Sequence, residues 1–593
     1  MMTRRNAAVV LAVGLLGCIA AAAEKQAEGL TARHVGGQTF LTWQEVDPPA
    51  VQEPVAEKEL RALKRGLDKK AKVRYRVYRS ETAIASLDGL ALLAEVPQLT
   101  CWNADYHGGT HDPKKTAPRY IAEEGKPALA HGTGLYVHNP QEEGKAFYAV
   151  TLVVDGKENR SVGGTNATKA AVAETVGRGV PVLQRTVKPK SFQYVNGPTL
   201  HYYVRWESPP TCSEASRPYD YVVAVPPKLA KPAPVGIHLH CWGGSLNGGY
   251  GWWYNAEKGD ILIASNQIPY DWWTGYHERY WQGRPNKDTW AKGVVRPYST
   301  TRMLAFLDWV ATKWEVDLSR THTAGNSMGG SGSPMFAIRY PERIAWAIGW
   351  VGVHNPARTP QFKGSYARVY GQPDWGVKFE DGTPVWDYYN DAWYLRNHPE
   401  KEIGFITFSN GKNDGAIGWP QAVEFLQALQ DTRRPHLFTW AMGGHGVRAM
   451  MPVSLAQRVL PIDIRTDQTL PAFTHCSLDD KPGNGAQDDG DPKGQVNAYL
   501  FWETDDIVDE AGRWEMTVGL IAKAPADTCT VDITPRRCQA FKPKPGDTLK
   551  WTSTRAGGEP DVQRGEATVD KWGLVTLEKV RVSKGKQRIV VGP

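Results

Sequence analysis

The sequence Ala324-Gly325-Asn326-Ser327-Met328-Gly329-Gly330 decides the fold, because it places a serine between glycines at a sharp turn. The short, partly β-branched segment 321–324 before it predicts a strand, and the segment 333–340 after it predicts a helix. Glycine permits the tight turn that presents a serine hydroxyl above a sheet. The pattern alone is weak evidence, because the chain has 59 glycines and a flexible glycine-rich turn is the ordinary alternative.

Residues downstream supply the two further side chains that a nucleophilic serine requires. The run 404–411 predicts a strand and is followed by Asp414, and 421–429 then predicts a helix. A second strand, predicted over 436–442, precedes the loop that holds His445. Serine, aspartate and histidine therefore occur in the order that an α/β-hydrolase sheet requires of a catalytic triad.

Other residues compete for these roles. A turn aspartate at 414 and a structural histidine at 445 are the ordinary alternatives. Asp387, Asp391 and His436 are the substitutes within the chain. The two aspartates lie in an insertion between predicted strands and His436 begins a strand, so all three rank below Asp414 and His445.

The chemistry explains why these residue types are needed together. A serine hydroxyl is a poor nucleophile at neutral pH, so His445 is predicted to accept the proton of Ser327 during attack on a carbonyl and to return it to the leaving group. Asp414 is predicted to orient the imidazole and to stabilise its charged form.

The tetrahedral intermediate also needs hydrogen-bond donors for its negative oxygen. The first predicted donor is the backbone N–H of Met328, directly after the serine. The second is predicted in the loop after the strand 235–240, at the N–H of Cys241 or Trp242. Loss of one such donor typically costs about 3 to 4 kcal/mol of transition-state stabilisation.

The block 219–449 resembles the α/β-hydrolase superfamily and, within it, the secreted esterases that include feruloyl, acetylxylan and polyhydroxyalkanoate-type enzymes. The resemblance rests on Val316-Asp317-Leu318-Ser319-Arg320, on the motif 325–330 and on Tyr340-Pro341-Glu342. Prolyl-oligopeptidase-like peptidases share the fold and the motif. Those esterases usually have His-Gly after the oxyanion strand, whereas this chain has His240-Cys241.

A chain of 593 residues is too long for one ordinary core and predicts about three or four domains. We predict a signal peptide over 1–23, a fibronectin type III-like β-sandwich with long insertions over 24–175, an α/β-hydrolase domain over 180–455 and a C-terminal β-sandwich over 456–593. The hydrolase domain is expected to hold a doubly wound, mainly parallel sheet.

The resemblance to fibronectin type III rests on Leu41-x-Trp43, Tyr75–Ser80 and Phe147–Val150. In the C-terminal domain, 495–502 is predicted as one strand.

The basic stretch 61–76 is interpreted as a solvated face or loop.

Composition narrows the class of protein. Hydrophobic residues make up 41% of the chain and charged residues 22%, which fits soluble globular structure, and the net charge of +7 is mild. Lysine and arginine are not clustered among aromatic residues, so a nucleic-acid partner has little support.

The N-terminus predicts export. Arg4-Arg5, the apolar stretch 7–16 and Ala21-Ala22-Ala23 have the order of a signal peptide and its cleavage site. Leu15-Leu16-Gly17-Cys18 also resembles a bacterial lipobox, in which Cys18 would carry a lipid anchor. No later apolar run predicts a transmembrane span, and the expected location is secreted or periplasmic.

Removal of Cys18 would leave six cysteines. Cys529 and Cys538 are close in sequence and are predicted either to face one another across a hairpin or to be free buried thiols. No cysteine or histidine spacing predicts a metal site, and no cofactor is predicted.

Tryptophan is abundant, with 23 residues in the chain, and several lie around the presumed pocket. Flat aromatic faces suit sugar rings or aromatic acyl groups, although core packing is the ordinary alternative. The predicted substrate-binding residues are Trp242, Trp252, Trp253, Trp272, Trp273 and Trp419.

The leading hypothesis is an exported serine carboxylic-ester hydrolase that acts through an acyl-enzyme on polysaccharide-linked or aromatic esters. A prolyl-oligopeptidase-like peptidase is the enzyme alternative. A surface binding protein with a disabled hydrolase core is the alternative without catalysis.

Overall fold

A computed structural model of the protein describes residues 25–70, 73–105, 116–192, 195–247, 258–446, 463–555 and 562–593. An N-terminal region of two sheets is followed by a central region built on one large sheet and by a C-terminal region of two further sheets. In the described ranges, no helix is both long and apolar enough to cross a bilayer. The predicted signal peptide and Cys18 lie outside these ranges.

The N-terminal region consists of two antiparallel sheets that share one apolar core. One sheet has the order β1-β2-β5, and the other contains β3, β4, β6, β7 and β8. Trp43 and Tyr75 come from different sheets, and their rings pack 5.4 Å apart in this core. The elements are β1 (Glu28–Val35), β2 (Gln38–Gln44), α1 (Glu57–Lys70), β3 (Val73–Ser80), β4 (Leu92–Pro97), β5 (Thr133–His138), β6 (Gly144–Val154), β7 (Lys157–Glu158) and β8 (Val172–Glu174). The fibronectin type III resemblance stays a prediction.

The basic stretch 61–76 is not a loop, but its interpretation as a solvated face agrees with its helical part, where residues 61–67 are exposed or partly exposed. Most of it lies in α1 and the rest begins β3. Leu60 is fully buried, and Leu63 and Leu67 pack against the same cluster. Apolar residues three and four positions apart form one face of this helix, and the surrounding charges concealed that period.

The central region is built on a sheet of ten strands in the order β24-β22-β21-β19-β18-β14-β15-β13-β12-β9. The six strands from β22 to β15 are mutually parallel, whereas β13, β12, β9 and β24 extend the sheet in antiparallel fashion. The elements are β9 (Val182–Val187), β10 (Ser191–Phe192), β11 (Val195–Asn196), β12 (Thr199–Glu207), β13 (Arg217–Val225), β14 (Val235–Leu239), β15 (Ile261–Ser265), β16 (Tyr276–His277), α2 (Lys287–Trp290), β17 (Val294–Arg296), α3 (Tyr298–Lys313), β18 (His322–Asn326), α4 (Met328–Arg339), β19 (Trp346–Trp350), α5 (Lys363–Tyr370), β20 (Lys378–Phe379), α6 (Val385–Tyr388), α7 (Asp391–Asn397), β21 (Phe405–Gly411), α8 (Trp419–Asp431) and β22 (His436–Ala441). The predicted α/β-hydrolase fold is confirmed.

The two faces of the large sheet are covered differently. Helices α3, α4 and α8 share one core cluster with alternate residues of the parallel strands. On the opposite face, Ile348 and Phe405 pack with residues of the C-terminal region, Leu470, Ala498 and Trp502. A doubly wound sheet has helices on both faces, but in the part of the chain that the structure describes these strands have helices on one face and the C-terminal region on the other.

The C-terminal region also has two sheets around one core. One sheet has the order β23-β28-β31, and the other runs β25-β27-β32-β29-β30 with β26 beside β27. The elements are β23 (Leu470–Thr474), β24 (Gly494–Val496), β25 (Leu500–Trp502), β26 (Val508–Glu510), β27 (Arg513–Leu520), β28 (Thr528–Arg536), β29 (Thr548–Arg555), β30 (Val562–Thr568), β31 (Leu577–Ser583) and β32 (Gln587–Gly592).

The segment 495–502 forms two strands in different sheets, and its prediction as a single strand is wrong. Strand β24 pairs with β22 of the central sheet, whereas β25 pairs with β27 of the C-terminal region. Asn497 lies between them with a φ of 64°. Its side-chain amide donates to the carbonyl oxygens of His436 at 3.2 Å and Phe473 at 2.9 Å. The C-terminal region is therefore joined to the large sheet by a strand and by hydrogen bonds.

The predicted hairpin pairing of Cys529 with Cys538 is wrong. Cys529 lies in β28, and Cys538 follows the end of the same strand, so roughly 30 Å of extended chain separates them. All six cysteines of the described ranges are free thiols.

Because His436 is a buried histidine, we expect the free energy of unfolding to depend on pH. It is buried, its Nδ1 donates to the carbonyl oxygen of Arg434 at 2.7 Å, and its Nε2 accepts from the Gln430 amide at 3.0 Å. Burial lowers the pKa of His436 from 6.5 to about 4. The neutral ring therefore contributes stability above pH 6.5, and we expect about 3 kcal/mol of it to be lost as the pH falls through 4.

The measurement is the urea midpoint of the unfolding transition at pH 7 and at pH 4.5. The midpoint of His436→Gln should fall less with acid than that of the unmodified protein. His475→Gln is the control, because the side chain of His475 is 73% exposed. Equal acid sensitivity in all three proteins would contradict the assignment to His436.

Candidate active site

Ser327 lies at the sharp turn between β18 and α4, and its backbone has an unusual conformation. Its φ is 54° and its ψ is −116°, a region that residues other than glycine rarely adopt. The Ser327 N–H donates to the carbonyl oxygen of Trp350 at 2.7 Å, which ties the turn to β19. Helix α4 begins at Met328, earlier than the predicted 333. Backbone strain of this kind concentrates at functional sites.

Three glycines around Ser327 are required by close backbone contacts. A Cβ added at Gly325 or Gly329 would lie 2.5 Å or 1.8 Å from the carbonyl oxygen of Leu239, and one at Gly330 would lie 2.1 Å from that of Trp350. These distances are shorter than any normal van der Waals contact. Strands β14 and β19 therefore approach the start of α4 only because these positions lack side chains.

We expect Gly329→Ala to destabilise the protein by at least about 2 kcal/mol, because the added methyl group would overlap the backbone of β14. The measurement is the thermal unfolding midpoint. Gly66→Ala is the matched control, because nothing lies within 4 Å of its added Cβ and Gly66 lies on the exposed face of helix α1, where alanine should be neutral or stabilising. An unfolding midpoint for Gly329→Ala equal to that of the control would contradict the close contact.

The structure brings the three predicted triad residues together. The Nε2 of His445 lies 2.8 Å from the Oγ of Ser327, and its Nδ1 lies 2.8 Å from the Oδ2 of Asp414. Asp414 follows β21 and His445 follows β22, so both loops leave the same edge of the sheet as the serine turn. The His445 side chain is 32% exposed, whereas Ser327 is only 4% exposed. The arrangement has the geometry of a nucleophile, a base and an orienting acid.

The carboxylate of Asp414 is held in one orientation by its own turn. Its Oδ1 accepts from the backbone N–H groups of Ala416 at 3.0 Å and Ile417 at 3.1 Å. Only Oδ2 then faces His445, where it accepts from Nδ1–H. This leaves Nε2 unprotonated toward the serine, as removal of the hydroxyl proton requires.

The C-terminal region supports the strand that carries Asp414. Lys412 is buried, and its Nζ donates to the carbonyl oxygens of Asp489 at 2.6 Å and Asp491 at 3.1 Å. The indole N–H of Trp440 donates to the same Asp491 carbonyl at 2.9 Å. Sequence reasoning missed this contact, because nothing in a single sequence links residue 412 to a loop almost eighty positions later.

The predicted oxyanion donors lie at the same edge of the sheet. Met328 is the first residue of α4, and the added-Cβ distance at Gly329 shows that the end of β14 touches this helix start. Cys241 and Trp242 begin the loop that leaves β14 there. Its first turn is closed by a hydrogen bond from the Gly244 N–H to the Cys241 carbonyl oxygen at 2.9 Å. Burial raises the pKa of the Cys241 thiol, which keeps it protonated at neutral pH.

The N-terminal region reaches the edge beside this loop. The Asn103 amide donates to Asp220 of β13 at 2.8 Å. Asn266, at the end of β15, donates to the carbonyl oxygen of Asp105 at 3.2 Å and accepts from the Leu246 N–H at 3.0 Å. Asn266 therefore links the N-terminal region to the loop that holds Cys241 and Trp242, a connection that sequence reasoning missed.

Three of the predicted substrate-binding tryptophans are core residues instead, which corrects their assignment. Trp272 and Trp273 are 0% exposed and Trp419 is 1% exposed. Trp272 stacks on Tyr366 at 4.6 Å, and the Trp273 indole donates to the carbonyl oxygen of His240 at 3.0 Å. Trp419 packs against Phe438 and Trp440. Both members of the Trp272–Trp273 pair have positive φ values, of 61° and 63°.

Trp242 is partly exposed and remains a candidate for substrate contact. Trp252 and Trp253 lie outside the described residues. Among the substitutes for the triad, Asp391 is paired with Arg339 at 3.1 Å and with His354 at 3.3 Å, His436 is held in the core, and Asp387 lies in α6. The structure places none of these three substitutes beside Ser327.

In the described part of the chain, no group of three or more histidine, cysteine, aspartate or glutamate side chains is placed to hold a metal ion. No curated protein matches the sequence. Residues 276–449 match the model of the family described as "Putative esterase", and this segment contains Ser327, Asp414 and His445.

Solved structures of hydrolases resemble part of the chain. An S-formylglutathione hydrolase from Agrobacterium tumefaciens is 15% identical, with 44% of this chain and 92% of that chain covered and a TM-score of 0.32. A "putative dipeptidyl aminopeptidase IV" from Bacteroides ovatus is 16% identical, with 55% and 45% covered and a TM-score of 0.33. An acetyl xylan esterase from Aspergillus awamori is 14% identical, with 44% and 98% covered and a TM-score of 0.28.

The esterase family match over 276–449 covers residues of the large α/β-hydrolase sheet, so sequence and fold indicate the same class of enzyme. The chain is an enzyme, a serine ester hydrolase.

Proposed function

We propose that this serine ester hydrolase acts through an acyl-enzyme on Ser327, with His445 as base and acid and Asp414 as the residue that orients it. The observation that carries the proposal is the pair of 2.8 Å contacts that join Ser327 to His445 and His445 to Asp414.

The reaction then follows from the geometry. As the Ser327 oxygen attacks the ester carbonyl, its proton moves to Nε2 of His445, and the charged imidazole is stabilised by Asp414. The same proton is delivered to the departing alcohol, which leaves an acyl group on the serine. Water, activated by His445, then hydrolyses the acyl-enzyme and restores the free hydroxyl. The N–H of Met328 and that of Cys241 or Trp242 would stabilise the negative oxygen in both steps.

For the substrate, we propose polysaccharide-linked or aromatic esters of the feruloyl or acetyl type, cleaved outside the cytoplasm. Support comes from the partly exposed Trp242, whose ring lies 5.0 Å from that of Tyr270 beside the oxyanion loop. The β-regions on both sides of the hydrolase fit an enzyme that works at a polymer surface. We further propose that 1–23 is a signal peptide, with Cys18 as a lipid-anchor site, and that the flanking regions are a fibronectin type III-like module and a β-sandwich with the predicted boundaries.

The test is a panel of acetyl, feruloyl and methyl-uronate esters given to the purified enzyme, together with a short-peptide amide. We expect measurable kcat/KM on at least one carbohydrate or aromatic ester and little on the amide. Preference for the amide would favour the peptidase alternative and overturn the substrate class. Turnover of none of the substrates would favour a binding protein with a disabled core.

A further inference from the structure

In the described part of the loop after β14, residues 241–247, Trp242 is a partly exposed indole next to the candidate oxyanion donors. Its ring lies 5.0 Å from Tyr270, 6.0 Å from the buried Trp272 and 6.4 Å from Phe362. Three aromatic neighbours therefore hold it in place. A fixed aromatic ring in the loop that carries candidate oxyanion donors is a surface on which part of a substrate can rest.

Arg368 lies over this ring. Its Cζ is 5.3 Å from the ring centroid of Trp242, which is within the range of a cation–π contact. Helix α5, which carries Arg368, is attached to the buried Trp272. The Trp272 indole donates to the Oγ of Ser365 at 2.6 Å, and Tyr366 stacks on Trp272 at 4.6 Å. The guanidinium over Trp242 is therefore carried by a helix that is fixed on the buried Trp272.

The charge of Arg368 is not neutralised by any described residue. Arg368 is exposed, and it forms no ion pair or side-chain hydrogen bond within the described ranges. Other arginines of the central region differ in this respect, since Arg358 pairs with Glu424 at 3.1 Å and Arg296 pairs with Glu278 at 3.3 Å. A guanidinium that rests on an aromatic face keeps its N–H edges free, and those edges match the two oxygens of a carboxylate.

We propose that Arg368 and Trp242 form a subsite for a carboxylate, so that the preferred ester carries a carboxylate in addition to the ester group. The carboxylate would accept two hydrogen bonds from Arg368 while the adjacent ring or chain packs on Trp242. Acidic sugars and acidic aromatic acids are the substrate classes with this chemistry. This inference rests on the proposed function, because it concerns the same site.

The experiment compares matched ester pairs that differ in one charge. 4-Acetoxybenzoate and 4-acetoxybenzamide carry the difference on the alcohol side, whereas 4-nitrophenyl hemisuccinate and 4-nitrophenyl butyrate carry it on the acyl side. For each ester, kcat/KM of Arg368→Gln is divided by that of the unmodified enzyme, so that intrinsic reactivity cancels. Arg358→Gln is the control, because it removes an exposed arginine that already has a carboxylate partner.

We expect Arg368→Gln to lower kcat/KM by about tenfold for at least one anionic ester and to leave its neutral partner within about twofold. Arg358→Gln should change neither. The difference should shrink at high salt, because the charged contact is exposed. An equal change for anionic and neutral esters, or no change for either anionic ester, would overturn the subsite. Failure of the proposed function is distinguishable, since the unmodified enzyme would then turn over neither neutral ester.

Discussion

Replacement of Ser327 by alanine is expected to lower kcat for ester hydrolysis by about a millionfold, to a residual rate that depends only on binding and the oxyanion donors. The variant removes the oxygen that would carry the acyl group, while His445 and Asp414 keep their places. The strained backbone at φ 54° is the same for serine and alanine, so the unfolding midpoint should stay close to that of the unmodified enzyme. The measurement is turnover of 4-nitrophenyl acetate.

Covalent labelling provides an independent measurement of the same prediction. A fluorophosphonate probe should add once to the unmodified enzyme, at the peptide that contains Ser327, and should not add to Ser327→Ala. Ser333→Ala is the matched control, since that hydroxyl donates to the Gly329 carbonyl oxygen at 2.8 Å within the same helix and lies away from His445. Unchanged turnover in Ser327→Ala would exclude the proposed nucleophile.

Asp414→Asn is expected to lower kcat by about ten thousandfold, because the hydrogen bonds around this side chain would then hold His445 in the wrong tautomer. The N–H groups of Ala416 and Ile417 require an acceptor at the inner position of the side chain, so the amide oxygen would remain there. The amide NH₂ would then face Nδ1 of His445 and donate to it. This places the imidazole proton on Nε2, which can no longer accept the proton of Ser327.

The measurement is kcat per folded enzyme across the pH range, with the fold checked by circular dichroism. Asp391→Asn is the matched control, because Asp391 is also a buried aspartate beside a histidine but belongs to the pairs with Arg339 and His354. That variant should lose stability while it keeps most of its kcat. The proposed assignment would be contradicted if Asp391→Asn lost catalysis and Asp414→Asn retained it.

The candidate triad could be predicted from the sequence because each of its residues lies just after a strand, and parallel strands end at one edge of a sheet. The turn glycines around Ser327 and the order of serine, aspartate and histidine were sufficient to identify the three candidate residues. The tryptophans could not be assigned in the same way. A sequence shows that Trp272, Trp273 and Trp419 are large and apolar, but such residues suit a core and a pocket rim equally well.

Contacts between distant segments were equally hidden from the sequence. Three contacts join parts of the chain that are far apart in sequence. Lys412 donates to the backbone at 489 and 491, Asn266 donates to the backbone of Asp105, and β24 pairs with β22 of the central sheet. Each uses backbone groups, which every residue type carries, so no residue pattern marks these contacts.

By itself, the sequence determined the α/β class, the order of the strands that carry the candidate triad and the identity of its three residues. Those features depend on local properties: the period of apolar residues, the freedom of glycine, and the chemistry of serine, histidine and aspartate. Only the tertiary structure decided which oxygen of Asp414 faces His445, that Trp242 is partly exposed while Trp272, Trp273 and Trp419 are buried, and that Arg368 lies over Trp242. These features depend on distances between separate segments, and those distances are set by packing that the residue order does not state.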